Sequence, residues 1–453
     1  MDFKGNVLLV NSPLFRESQH DYDENVIPPM GLAYIASNLK DNGIYCNLLD
    51  AVYHKMGVKE ICQYFSKTTP SFVGINIFTT NMHLVREIVE KCQIRTTFII
   101  GGQAARFLYQ EIFNWNTNNK IIVIIGEADF LFSALVQDND NAISFEKECK
   151  NPPRELFKVD AESPFFPREI SDLHLHREFL ENEPSKNKKG YKEAFIIASR
   201  GCKYSCAFCA AAKNLNKDIP IRRRSAQSIK NEIAEIQSLY NGNVNAIRVL
   251  DDLFLRDIES IKLAGEIFNK SGLSWRSMAH VLSFKDINVA TLCDLRKSGC
   301  IELFIGVESG SEEILKKINK FHNIMKIQET FEKIFKAGIS VKGYFIYGFP
   351  EETENDMHRT FELAENLKET AENFGVGFRA SAFKFRLYHG TKIYNDFLSK
   401  NNHHDIKITP DNALSETTDR ILFNFTSGNY STVNDDYLNR FVEKTNLLKT
   451  FNH

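Results

Sequence analysis

Three cysteines stand within eight residues, as Cys202-Lys-Tyr-Ser-Cys206-Ala-Phe-Cys209, just after the apolar run AFIIASR. The C-x3-C-x2-C spacing gathers three thiolates about one point. A structural zinc ion would need a fourth Cys or His at pair-like spacing, and no nearby residue provides it. Three thiolates suit an iron–sulfur cubane, a [4Fe–4S] cluster whose fourth iron stays open to bind something else. The other six cysteines, Cys46, Cys62, Cys92, Cys149, Cys293 and Cys300, are scattered. They imply no disulfide framework, and a reducing cytosol would keep them as thiols.

The elements that must position this cluster read as two alternating regions. In residues 1–150, strands are expected at 7–11, 45–50, 72–78, 97–102 and 121–127, with helices at 29–43, 58–66, 81–93, 104–114 and 128–137 between and after them. Near-continuous apolar strands separated by helices make a parallel sheet covered on both faces, a flavodoxin-like, Rossmann-type α/β domain. Its crevice lies outside the strand carboxyl ends, at Asn11, Ser12, Thr79, Thr80, Gly101, Gly102, Gly126 and Glu127. Residues 151–192, with Pro152, Pro153, Pro164 and Pro167, read as an ordered linker. A second region, 193–397, has strands at 194–200, 246–252, 275–280, 302–308, 341–348 and 376–387 with helical segments between them, a partial (β/α)6 TIM-type barrel. Segment 398–453 is a small tail with one helix expected at 435–449.

Bulk properties narrow the class. The 453 residues carry a net charge of −2, with 43% apolar and 25% charged residues. No overall field draws nucleic acid or an anionic membrane. No uncharged run approaches the roughly 18 residues of a membrane span, and the N-terminal apolar run is broken too early by Asn11 and Pro13 to be a signal peptide. The expected location is cytoplasmic, with no nucleic-acid partner.

The motifs around the cysteines resemble the radical S-adenosylmethionine (SAM) superfamily. SRGCKYSCAFC at 199–209 looks like its cluster loop, and IRRRS (221–225), VLDDLF (249–254), LFIGVESGSEEILKKINK (303–320) and YFIYGFPEETENDM (344–357) resemble successive landmarks of one subgroup. That subgroup carries an N-terminal cobalamin (B12)-binding domain, which PPMGLAYIASNLKDNGIYCNLLDA (28–51), FVGINIFTTN (72–81), IIGGQAARF (99–107) and IIVIIGEADF (121–130) resemble in turn. The likeness covers roughly residues 6–395. The D-x-H-x-x-G motif, whose histidine binds cobalt from below in many B12 proteins, is absent.

The resemblance implies that Cys202, Cys206 and Cys209 ligate the cluster while the amino-acid end of SAM chelates the open iron. It places Phe208, Asp251, Asp252, Glu308, Ser309 and Gly348 at the SAM site. For these residues the competing roles are packing for Phe208, helix capping for Asp251, Asp252, Glu308 and Ser309, and a plain turn for Gly348. His280 and His389 follow the third and sixth barrel strands, on the expected catalytic face, where either is a candidate base. His174 and His176, in DLHLHRE, read as an interdomain polar contact or a metal pair.

The implied reaction is reductive cleavage of SAM to a 5′-deoxyadenosyl radical, followed by cobalamin-dependent methylation of an unactivated carbon. Electrons come from a donor such as flavodoxin or ferredoxin, and the substrate is a small molecule or peptide. Two alternatives stay open. One is a non-methylating enzyme (a peptide epimerase, cyclase or rearranging enzyme) without cobalamin, with Cys300 or Cys293 as hydrogen donor; the other is a non-catalytic cobalamin or iron–sulfur sensor.

Overall fold

The computed structural model describes residues 6–13, 27–138, 141–148, 151–186, 190–320, 323–400 and 429–450. Cys149, the centre of the lysine-rich run near 188 and residues 401–428 of the tail lie outside them.

The first sheet holds β1 (Val7–Asn11), β2 (Cys46–Asp50), β3 (Phe72–Asn76), β4 (Thr97–Gly101), β5 (Lys120–Gly126), β6 (Glu146–Glu148) and β7 (Arg154–Val159), in the order β2-β1-β3-β4-β5-β7-β6. All pairs are parallel except β6 with β7. Alternation along β1 shows why the sheet needs two covers. Leu8 and Val10 pack beneath α2 (Val58–Thr68), α3 (Met82–Lys91) and α4 (Ala105–Phe113), whereas Val7 and Leu9 pack beneath α1 (Met30–Asp41) and α5 (Leu131–Val136). This is the flavodoxin-like arrangement expected.

One boundary differs from expectation. β7 falls inside the segment read as linker, yet it pairs with β5 over its whole length, from Ile121↔Arg154 to Gly126↔Val159. The sequence RELFKV interleaves charge with apolar residues because this strand lies near the sheet edge, so it lacks the continuous apolar run that reveals the others. At the other end of the same segment, β8 (Ser185–Lys186) joins the second sheet.

That second sheet runs β16-β15-β14-β13-β12-β9-β8. Six parallel strands, β9 (Lys192–Ile196), β12 (Ala246–Val249), β13 (Ser274–Ala279), β14 (Cys300–Glu308), β15 (Ser340–Tyr347) and β16 (Phe378–Lys384), form a half-barrel. A small antiparallel pair, β10 (Ser199–Arg200) with β11 (Arg222–Arg223), brackets the cysteine loop. The covering helices are α6 (Ala226–Leu239), α7 (Ile258–Phe268), α8 (Val289–Lys297), α9 (Glu312–Lys317), α10 (Ile324–Lys336), α11 (Glu354–Asn373) and α12 (Lys392–Lys400). Between helices and sheet lie Trp275, Phe331 and Phe335, each essentially inaccessible. Burial of such a side chain stabilises by about 1.5–3 kcal/mol.

The tail helix α13 (Asp435–Asn446) does more than decorate the surface. Ala380 N donates to Leu448 O at 2.9 Å and Thr450 N to Phe378 O at 2.9 Å, so the segment after α13 covers the backbone of β16, the open edge of the half-barrel. No helix among the described residues is long and apolar enough to cross a membrane.

Candidate functional site

The carboxyl ends of the two sheets meet. Arg200, two residues before Cys202, places Nη1 2.7 Å from Glu127 Oε2 and 2.8 Å from Asp129 Oδ2 at the end of β5. Arg222 binds the other oxygen of Glu127. Thr79, after β3, bonds His389, after β16, with 3.0 Å between Oγ1 and Nδ1. Arg106 of α4 pairs with Asp218 at 2.8 Å. Breaking one side of a buried charge pair costs on the order of 3–5 kcal/mol, so this network fixes how the domains face each other.

The cysteine loop is held from three directions. Ala207 N donates to Ile318 O at 2.9 Å, Ile393 N to Ala207 O at 3.1 Å, and Asn319 Nδ2 to Ser205 O at 2.6 Å. All three thiols are free and partly exposed. They are not among the groups of ligand atoms that converge within 4.8 Å. A single zinc ion with Zn–S near 2.3 Å would require sulfurs about 3.8 Å apart, a convergence the three thiols as placed do not all reach. Burial pushes the three thiols up, Cys209 to about 12; a bound cation would be needed to favour the thiolates.

Around this loop the structure sorts the expected SAM residues. Asp252 is exposed just beyond β12, although nearby protein atoms raise the pKa of its carboxyl. Asp251 is a clamp instead: Oδ1 accepts from Ala198 N at 2.8 Å and Oδ2 from Ser199 Oγ at 2.5 Å, and burial raises its pKa to about 6. Neither caps a helix; that is the work of Asp257 on α7. Glu308 adopts φ +68° at a register shift in β14 and pairs with buried Lys320 at 3.0 Å. A Cβ on Gly306 would collide with that carboxylate, so glycine there makes room for the pair. Ser309 is fully buried and spent on Thr360 Oγ1 and Ser311 N, while α9 takes Ser311 as its cap. Phe208 packs edge-on against Phe349, 5.9 Å between ring centres.

Gly348 belongs to a turn organised by a residue the sequence reading missed. Glu352 Oε2 accepts from Gly348 N at 2.5 Å and Phe349 N at 3.1 Å, while its Oε1 is buried with no partner among the described residues. Burial drives its pKa to about 8, against the lowering effect of the two amides. Between roughly pH 4.5 and 8 the folded chain therefore holds a proton that the unfolded chain has released, and stability falls as pH rises across that window. Glu352→Gln should accordingly raise the melting temperature relative to wild type at pH 9 and have little effect at pH 4. Equal shifts at both pH values would contradict the assignment.

The candidate bases part company. His280 ends β13, accepts at Nδ1 from Leu282 N at 3.1 Å, and stacks on Tyr204 of the cysteine loop with 4.0 Å between centres. His389 belongs to the interdomain seam, where burial lowers its pKa to about 4 and keeps it neutral. Cys300 starts β14, at the end opposite the cluster loop, and is fully buried with its pKa raised; Cys293 lies on α8 against the core. Neither thiol is placed at the catalytic face.

In the N-terminal crevice, β1 ends in Asn11, β4 in Gly101 and β5 in Gly126, followed by Ser12, Gly102 and Glu127. Asn11 and Ser12 are buried and bonded into a polar floor with Asp50, Asn76 and Asn81. Two expected contacts have another cause. A Cβ on Gly126 would strike Val159 O at 1.9 Å, and one on Gly102 would meet Ile77 O at 2.9 Å, both at positive φ; these glycines admit the chain's own backbone. Glu127, also expected at the crevice, commits its carboxylate to Arg200 and Arg222.

Comparison with known proteins agrees with this architecture. The pattern of the radical SAM superfamily matches residues 196–364, and that of the B12 binding domain matches residues 23–136. An uncharacterized methyltransferase of Pyrococcus horikoshii, PH0819, is 24% identical over 395 residues, spanning 83% of this chain and 79% of its own length. Among solved structures, the radical SAM methyltransferase TsrM of Kitasatospora setae superposes with a TM-score of 0.62 at 15% identity, over 88% of this chain and 76% of that one. The cobalamin-dependent radical enzyme OxsB gives 0.65 at 14% identity, over 96% and 65%. A radical SAM domain implies a [4Fe–4S] cluster and SAM; the B12-binding domain supports cobalamin.

Proposed function

We propose that this chain, which matches the radical SAM superfamily over residues 196–364 and the B12 binding domain over residues 23–136, is a radical SAM enzyme that transfers a methyl group to an unactivated carbon of a small-molecule or peptide substrate held between its two domains. The observation that carries this reading is the seam: Arg200, leading into the cysteine loop, is bound to Glu127 and Asp129 at the edge of the B12 crevice. Methyl transfer requires the two cofactors to face one another across a substrate-sized gap. When bound, the cluster with SAM supplies hydrogen abstraction and cobalamin supplies the methyl group.

The chain's residues then have distinct tasks. Cys202, Cys206 and Cys209 hold the cluster. Asp252, exposed just beyond β12, is offered to the polar end of SAM. The buried pair Glu308–Lys320 sets charge beside the cluster, and Glu352 holds the Gly348 turn against the nucleoside. His280 fixes Tyr204 and thereby the loop. A small reductant protein such as flavodoxin or ferredoxin supplies the electron.

The epimerase alternative is weakened by position, since Cys300 and Cys293 lie away from the strand carboxyl ends where a hydrogen donor must stand. A sensor would have no use for Glu352 and Lys320 arranged around the cluster loop. Reduced, cobalamin-loaded enzyme given SAM should form both S-adenosylhomocysteine, from methylation of cobalamin, and 5′-deoxyadenosine. Mass spectrometry showing 5′-deoxyadenosine alone would favour the non-methylating alternative.

A further inference from the structure

Asp41 is the last residue of α1. A carboxylate there opposes the helix dipole, whose carboxyl-terminal end carries partial negative charge, so the position calls for a local cation. The connector between the domains supplies two imidazoles. Leu173 and His176 are extended, so His174 and His176, two residues apart, fall on the same side of the chain. His176 Nε2 lies 2.6 Å from Asp41 Oδ1 and His174 Nδ1 lies 3.7 Å from Oδ2. The two rings stand 4.3 Å apart at 67°.

One dication satisfies all three. Among the described residues this is the group of at least three His, Cys, Asp or Glu whose ligand atoms all lie within 4.8 Å of one another. We propose that Asp41, His174 and His176 form a divalent metal site, of the zinc class, that staples the interdomain connector to α1 of the B12-binding domain.

The chemistry fits. Two imidazole nitrogens and one carboxylate oxygen are borderline ligands of the kind zinc takes at 2.0–2.2 Å, with water in the fourth position. Modest rotation of the three side chains, which are between 23% and 52% exposed, brings the atoms to that distance. The backbone is already in place: His176 N donates to Ser37 Oγ at 2.8 Å, and Lys40 pairs with Glu178 at 2.8 Å, so the connector lies along α1 before any ion arrives. The three cysteines of the loop are not part of this group and belong to a separate site.

The test uses tag-free full-length protein, reconstituted anaerobically with iron and sulfide so that the cysteines are occupied, then incubated with zinc chloride and desalted. Wild type should retain about one zinc beside about four irons and melt several degrees higher than without zinc. The double variant His174→Ala/His176→Ala should keep the irons, lose at least nine-tenths of the zinc and show no zinc-dependent shift. Asp41→Asn, which suits the helix end better, should lose zinc while melting no lower than zinc-free wild type. Equal zinc retention in all three proteins, or none in wild type, would overturn the proposal.

Discussion

Cys206→Ala should reduce the iron and sulfide of anaerobically reconstituted protein from about four each per chain to near zero, and formation of 5′-deoxyadenosine should fall to background with it. Three thiolates are all the cluster has, and the loop offers no replacement: its remaining side chains between 202 and 209 are Lys203, Tyr204, Ser205, Ala207 and Phe208. The fold should survive. Cys206 is partly exposed, and the loop is tethered by the backbone of Ala207 and the carbonyl of Ser205 rather than by the thiol. Circular dichroism should match wild type while the visible absorption of the cluster disappears. A variant that keeps a full complement of iron would refute the ligand assignment outright.

How far the sequence could be read depended on distance along the chain. The cysteine motif is local, three residues within eight, and its spacing points to its expected chemistry. Near-continuous apolar strands such as β5 and helices such as α6 were legible for the same reason, since periodicity is a property of a short window. The seam was not. Glu127 and Arg200 are 73 residues apart, and Thr79 and His389 are 310 apart; only the facing of two sheets brings them together. Glu127 therefore looked like a crevice ligand when its carboxylate is a structural anchor. Lys320 was one lysine among three in LKKINK, and nothing in that run marks which one turns inward to Glu308. Glu352 lay within an expected motif, but its task, holding two amides four and three residues before it, follows from a turn conformation that a residue pattern does not specify.

The same distinction determines which glycine probes the B12 crevice. Purified protein supplied with hydroxocobalamin should retain about one equivalent after desalting, with a spectrum lacking a histidine beneath cobalt, because the chain has no D-x-H-x-x-G motif. Enlarging Gly102 or Gly126 would be uninformative, since at either position a Cβ meets neighbouring backbone at positive φ and the sheet itself yields first. Gly101 is different. Its φ is not in the left-handed region, and a Cβ there would make only ordinary contacts, the nearest with Ile124 O at 3.7 Å. A side chain at 101 can therefore start from β4 without straining its backbone, which makes this strand end the one to probe. Gly101→Phe should lose at least nine-tenths of the retained cobalamin, keep its four irons and its melting temperature, and still cleave SAM, because the cluster loop does not depend on that strand end. Loss of both cofactors together would show that the crevice and the cluster are coupled more tightly than the seam contacts require. No retention of cobalamin by wild type, with 5′-deoxyadenosine still formed, would remove the methyl donor from the mechanism and leave radical rearrangement as the reading to pursue.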